Sequence, residues 1–137
     1  LGVFVAEDSR AVRDRLIERL HENDLLAVVG QAASAQGAVD GILSSVPDCV
    51  LLDFHLDGGT AVDVLRAVRP QVESATVIVL TNYAYPQYRR LCAQLGANWF
   101  LDKSAHFDFV CELLAGLAVG NQQPSESSHL RIDHAHG

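Results

Sequence analysis

VLLDFHLDGG, residues 50–59, holds the reading of the fold. Val50, Leu51 and Leu52 form an apolar run that stops on a carboxylate, Asp53, after which the chain passes His55, Asp57 and the pair Gly58–Gly59. A run this short, closed by glycines, is too brief for a helix and reads as a strand buried on both faces. Such strands belong to parallel sheets, and open parallel sheets bind ligands beyond the carboxyl ends of their strands. Asp53 therefore stands where chemistry is expected, with a rigid element behind it.

Working outward, the same kind of run recurs. Segments 2-GVFVA-6, 26-LAVVGQA-32, 76-TVIVLT-81 and 98-NWFL-101 join 48-DCVLLD-53. Between them lie stretches of helical spacing: Val12, Leu16 and Leu20; Val62, Leu65 and Val68; Tyr88, Leu91, Cys92 and Leu95; Phe107, Val110, Leu114 and Leu117. Ser9 is placed to cap the first helix and Thr60 with Asp63 to form a capping box. Pro86 suits a first helical turn, and Gly96 suits the position after a helix end. Pro70 should end the third helix, and Gly37 and Gly41 weaken the second. Five strand–helix alternations predict an α/β fold. The expected form is a doubly wound five-stranded parallel sheet, order 2-1-3-4-5, with five helices on its two faces: a flavodoxin-like three-layer sandwich. The pattern dissolves near Gly120. Residues 1–119 read as one domain, and 120–137, GNQQPSESSHLRIDHAHG, as a polar, disordered tail or linker. His129, His134 and His136 read as part of that tail rather than as a metal cluster.

Composition narrows the function classes. A chain of 137 residues, 49% hydrophobic, suits one domain with one core. Ten basic against 17 acidic residues give a net charge of −7, which argues against direct nucleic-acid binding. No apolar run approaches the roughly 20 residues that cross a bilayer, and the start lacks the pattern of a signal peptide. Cys49, Cys92 and Cys111 are widely spaced, which reads as reduced, buried thiols and a cytoplasmic setting. Nine of the ten basic residues are Arg, and the only Lys is Lys103.

The residues after each apolar run form a chemically coherent set. The first run ends in Glu7-Asp8, the third in Asp53 and the fourth in Thr81, and the fifth leads through Asp102 to Lys103. The order 2-1-3-4-5 brings these four ends side by side. Two like charges about 4 Å apart at an effective dielectric near 20 cost about 4 kcal/mol, so three carboxylates need a cation. Oxygen ligands favour Mg²⁺, and the Lys103 ammonium is a compact partner for phosphate. Together with the Thr81 hydroxyl, these groups suit the transfer of a phosphoryl group to a carboxylate oxygen.

FVAEDS (4–9), PDCVLLD (47–53), VIVLTN (77–82) and GANWFLDKS (96–104) occur in an order and at spacings that resemble the receiver domain of bacterial two-component response regulators, across residues 1 to about 119. That resemblance implies specific roles. Asp53 would accept the phosphoryl group from a phosphohistidine of a sensor histidine kinase or histidine phosphotransfer protein. Asp8, Asp53 and the backbone carbonyl of His55 would ligate Mg²⁺, with Glu7 acting mostly through water. Lys103 would pair with the bound phosphoryl group. Thr81 would move towards it, and Phe100 would be the aromatic switch residue. His55 and Tyr83 would tune the lifetime of the phosphoryl-Asp. The helix 4–strand 5–helix 5 face would then signal to a downstream protein or domain, or form a phosphorylation-dependent dimer. The chain would be no enzyme beyond its own phosphorylation and dephosphorylation.

Some positions depart from the family pattern. Asp57 stands where Pro is common, which suggests a more mobile loop. Ala61 replaces a common Gly, Asn82 is larger than the usual Ala or Gly and could narrow access to the phosphoryl group, and Ser104 replaces a frequent Pro. Two other readings compete. A phosphatase-like enzyme of the haloacid dehalogenase type wants a second Asp two residues after the first, where this chain has His55. A degenerate receiver would bind partners without phosphorylation, but the set Glu7, Asp8, Asp53, Thr81 and Lys103 is complete.

Overall fold

A computed structural model describes residues 1–104, 107–120 and Ile132. Five parallel strands form one sheet: β1 (Gly2–Ala6), β2 (Ala27–Ala32), β3 (Cys49–Asp53), β4 (Thr76–Thr81) and β5 (Trp99–Asp102). Their order is β2-β1-β3-β4-β5. Five helices connect and follow them: α1 (Arg10–Leu20), α2 (Ala35–Ser45), α3 (Ala61–Val68), α4 (Pro86–Gln94) and α5 (Phe107–Ala118). The expected doubly wound architecture is present, with strand limits shifted by at most a residue.

The unbroken apolar runs follow from burial on both faces. In β3, Val50 and Leu52 enter the layer beneath α2, α3 and α4, while Cys49 and Leu51 enter the layer beneath α1 and α5. Every residue of β3 is buried, Asp53 included. Helix starts obey the capping signals. Ser9 Oγ accepts from the Val12 N–H, and Ser34 Oγ accepts from the Gly37 N–H. Thr60 and Asp63 complete a reciprocal box. Pro70 does end α3, but through a single 3₁₀ turn, Arg69–Gln71. Helix α2 stops at Val46, the one described non-glycine residue with a positive φ, +44°.

Gly41, which weakens α2 by propensity, has a packing reason. A Cβ there would lie 2.5 Å from Phe4 Cε2 and 2.6 Å from Cζ, so the ring lies where a side chain would be. Gly41→Ala gains about 1 kcal/mol of helix propensity, whereas forcing a methyl into a packed core costs about 1–3 kcal/mol. The expected result is a net loss of up to about 2 kcal/mol, read as a lower urea midpoint at unchanged slope.

Two features lie outside the sequence reading. The segment after Asp53 folds into a small antiparallel ladder, His55–Leu56 against Gly59–Thr60, turning at Gly58 with φ +78°. Ile132 is buried in the layer beneath α2–α4, and its N–H donates to the Asn98 carbonyl at 2.8 Å. The polar composition of 120–137 carries no signal for that contact. The tail histidines lie outside the described residues.

Candidate functional site

Each proposed site residue leaves the carboxyl end of a strand, and the strand order sets them beside one another. From β1 come Glu7, 1% exposed, and Asp8, which faces solvent. Glu7 is fixed from two sides: its Oε2 accepts from the Ser9 N–H at 2.9 Å, and its carbonyl accepts from Arg13 Nη1 at 2.7 Å. From β3 comes Asp53, 4% exposed. The next residue keeps pairing with β4, Phe54 N–H donating to the Leu80 carbonyl at 2.8 Å. Thr81 closes β4, fully buried, its hydroxyl accepting from the Tyr83 N–H at 2.9 Å. Lys103, just past β5, is held to the same strand by its N–H on the Thr81 carbonyl at 2.9 Å.

The charges meet at one point. Lys103 Nζ lies 2.5 Å from Glu7 Oε1 and 3.1 Å from Asp53 Oδ2. Oxygens of Glu7, Asp8 and Asp53 all lie within 4.8 Å of one another. Burial pushes the Asp53 carboxyl up to about 7, the Glu7 charge adds to the rise, and Lys103 opposes it. Asp8 is held below the ordinary carboxylate range, first by a hydrogen bond shared with the Glu7 carboxyl and then by Asp53 and Lys103, against desolvation. Burial disfavours the Lys103 charge, but Glu7 and Asp53 outweigh it and raise its pKa. Glu7 Oε1 is buried against the Lys103 ammonium, which is its partner among the described residues.

The loop carrying Asp57 is better anchored than a missing proline suggests. Asp57 N–H donates to the Ala33 carbonyl at 3.2 Å, and its carbonyl accepts from the Ala35 N–H at 2.9 Å. Ala35 opens α2, so the loop after Asp53 supplies one of the acceptors that a helix N-terminus requires. The segment after Asp53 is thus a hairpin bonded to the connection between β2 and α2. His55 is exposed, with its ring edge-on to Phe54, centroids 5.0 Å apart, and 5.9 Å from the Tyr83 ring. Phe100 is buried in the layer beneath α2–α4. A cleft of about 410 Å³ opens beside the carboxylates, lined by Asp8, Arg15, Asn82, Lys103 and Phe107 among others.

The response regulator receiver domain matches residues 3–115 of this sequence. The chain belongs to the response regulator receiver family. As such it is a signalling module of the two-component type, a class that meets kinases and output domains. The receiver is 27% identical over 122 residues to the transcriptional regulatory protein DesR of Bacillus subtilis, covering 89% of this chain and 60% of DesR. It is 31% identical over 130 residues to the sensory/regulatory protein RpfC of Xanthomonas campestris pv. campestris, covering 90% of this chain and 17% of RpfC. Among solved structures it matches the signal receiver domain of NarL from Mycobacterium tuberculosis with a TM-score of 0.79 and 26% identity, over 88% of this chain and 97% of that one. The isolated receiver of RcsB from Salmonella enterica shares the fold at a TM-score of 0.79 and 19% identity, over 91% and 94%. The receiver thus spans about three fifths or less of the curated relatives named here. No helix among its described residues is long and apolar enough to cross a membrane.

The structure brings Glu7, Asp8, Asp53 and Lys103 together, with Thr81 at the adjoining strand end. Sequence reasoning missed Arg13 and Ser9 as the groups that fix Glu7. Ser9 was legible only as a cap, and Arg13 looked like any charge on an exposed helical face. It also missed the Phe54–Tyr88 stack, 4.4 Å between centroids at 18°, because the two positions belong to different elements.

Proposed function

We propose that the receiver accepts a phosphoryl group on Asp53 from a phosphohistidine of a sensor histidine kinase or histidine phosphotransfer protein. The observation that carries this reading is the meeting of Asp53, Lys103, Glu7 and Asp8 at adjacent strand ends, with Lys103 Nζ 3.1 Å from the acceptor carboxylate. An Asp53 oxygen attacks phosphorus in line, the P–N bond to the donor imidazole breaks, and an acyl phosphate forms. The imidazole leaves and takes a proton. Lys103 is already paired with Asp53 and would follow the new charge, since phosphorylation replaces one carboxylate charge with nearly two, spread over three phosphoryl oxygens.

The donor set suits Mg²⁺. It is all oxygen, and it carries more negative charge than Lys103 balances. Asp8, Asp53 and the His55 carbonyl would hold the ion, with Glu7 behind them. When bound it would neutralise charge between the carboxylates and the incoming phosphoryl oxygens. The chain's own residues do the rest: β3 positions the acceptor, and Lys103 neutralises it. Thr81 exchanges its bond from the Tyr83 N–H for one to a phosphoryl oxygen. That exchange moves the segment before α4, and with Phe100 it biases the α4–β5–α5 face on which a downstream protein, an output domain or a second phosphorylated copy would dock.

Residues 1–119 are read as the receiver unit. A small phosphodonor with Mg²⁺, followed by intact mass, tests the reading directly: one phosphoryl gained supports it. No gain would favour a module that binds partners without phosphorylation. His55 and Tyr83 cover the approach of water to the acyl phosphate. The double variant His55→Ala, Tyr83→Ala is expected to shorten its lifetime by about 3–10-fold, measured as decay of the phosphorylated mass. An unchanged lifetime would remove these two side chains from rate control.

A further inference from the structure

The peptide bond between Glu7 and Asp8 is gripped from outside the strand that leads to it. Pairing between β1 and β2 ends at Ala6 and Ala32, and the Glu7 N–H makes the next bond, to the Ala32 carbonyl at 2.9 Å. The Glu7 carbonyl accepts instead from a side chain, Arg13 Nη1, at 2.7 Å. Arg13 Nε donates at the same time to Gln31 Oε1 at 3.0 Å, so one planar guanidinium bridges the end of β1 and the edge strand β2. Helix α1 carries four arginines, and the other three turn elsewhere. Arg10 pairs with Asp14, Arg19 with Asp108 and Glu22, and Arg15 lies over the Phe107 ring. The position of Arg13 is itself set by the capped first turn, where its N–H donates to the Ser9 carbonyl at 2.8 Å.

The Glu7 carbonyl oxygen and the Asp8 nitrogen belong to one planar peptide group. Holding that oxygen fixes the plane from which Asp8 leaves the backbone. Glu7 depends less on this grip, since its side chain is buried and bonded to the Ser9 N–H. Asp8 is the exposed member of the three carboxylates, and packing gives it little support.

We propose that Arg13 is a positioning residue for the cation site. Braced by Gln31, it holds the Glu7–Asp8 peptide so that the Asp8 carboxylate enters at an angle suited to Mg²⁺. The inference rests on the reading that Asp8, Asp53 and the His55 carbonyl hold that ion. The bonds of Arg13 go to a backbone carbonyl and an amide oxygen, so it acts through Asp8. Mg²⁺ demands near-ideal octahedral geometry, whereas Ca²⁺ tolerates irregular coordination. Loosening Asp8 therefore weakens Mg²⁺ more than Ca²⁺. A change in charge, or a general loss of structure, would move both ions alike.

Each ion is added separately to the unphosphorylated full chain while the backbone amide NMR signals of Asp8 and His55 are followed. Arg13→Lys keeps the charge and loses the planar fork. It is expected to weaken Mg²⁺ about 10-fold and Ca²⁺ by about twofold or less. Gln31→Ala leaves Arg13 and every charge in place, at an exposed position. It should weaken Mg²⁺ about threefold and leave Ca²⁺ nearly unchanged. A urea midpoint checks that Arg13→Lys is folded, and Gln31→Ala decides alone if it is not. An equal loss for both ions, or unchanged binding of both, overturns the positioning role and leaves the cation site standing. Wild type that shows no Mg²⁺ response at Asp8 or His55 overturns the cation site and the positioning role together.

Discussion

Asp53→Asn is expected to lose phosphoryl uptake from a small phosphodonor by at least about 100-fold, because the amide keeps the shape of the side chain and removes the nucleophile. The substitution is conservative in every other respect. Asp53 sits at the end of a strand whose other four residues are apolar and buried, and an amide preserves that packing. Lys103 keeps Glu7 as a partner at 2.5 Å, so the ammonium is not stranded. Intact mass after incubation with the donor and Mg²⁺ reads the result. Wild type gaining one phosphoryl and the variant gaining none locates acceptance at Asp53. Equal gain in both would move the acceptor elsewhere and sink the proposed mechanism.

The same variant is expected to be more stable than the wild type at pH 8 in metal-free buffer, by on the order of 4 kcal/mol. The sign follows from the direction of the shift. Burial and the Glu7 charge raise Asp53 from its ordinary 3.8 to about 7 in the folded chain. Between those values the folded state holds a proton that the unfolded state has lost, so stability falls as pH rises from about 4 to about 7. Above that range the cost is fully present, and below it the cost is gone. Asparagine carries no such cost. The gap between variant and wild type should be widest at pH 8 and nearly closed at about pH 3.5, read as the difference in urea midpoint. Mg²⁺ at pH 8 should narrow the gap by stabilising the wild type more than the variant. A gap independent of pH would show that the buried carboxylate titrates as it does in water. On the proposed reading, that cost is one that a bound cation, or a phosphoryl group with its partners, would relieve.

What could be read from residues alone depended on how far apart the interacting groups lie. The parallel sheet was legible in Val50–Leu52 and Val77–Leu80, since burial on both faces leaves a run without polar interruption. The acidic pair, Asp53, Thr81 and Lys103 were legible because topology alone carries strand ends to one edge. The roles of Ser9 and Arg13 were not, because a hydrogen bond to a carboxylate or carbonyl leaves no mark on the spacing of apolar residues. Gly41 read as a weakness of α2, and only the Phe4 ring shows why a side chain is absent there. The hydrogen bonds of Asp57 were not legible either: its backbone does the anchoring, and backbone pairing is nearly blind to side-chain identity.

That anchoring turns one amide into a clock. The Ala35 N–H is the first of α2 and has no partner within its own helix, so it is shielded from deuterium only while the Asp57 carbonyl covers it. Its exchange rate therefore counts the openings of the hairpin that follows Asp53, without any probe attached to Asp53 itself.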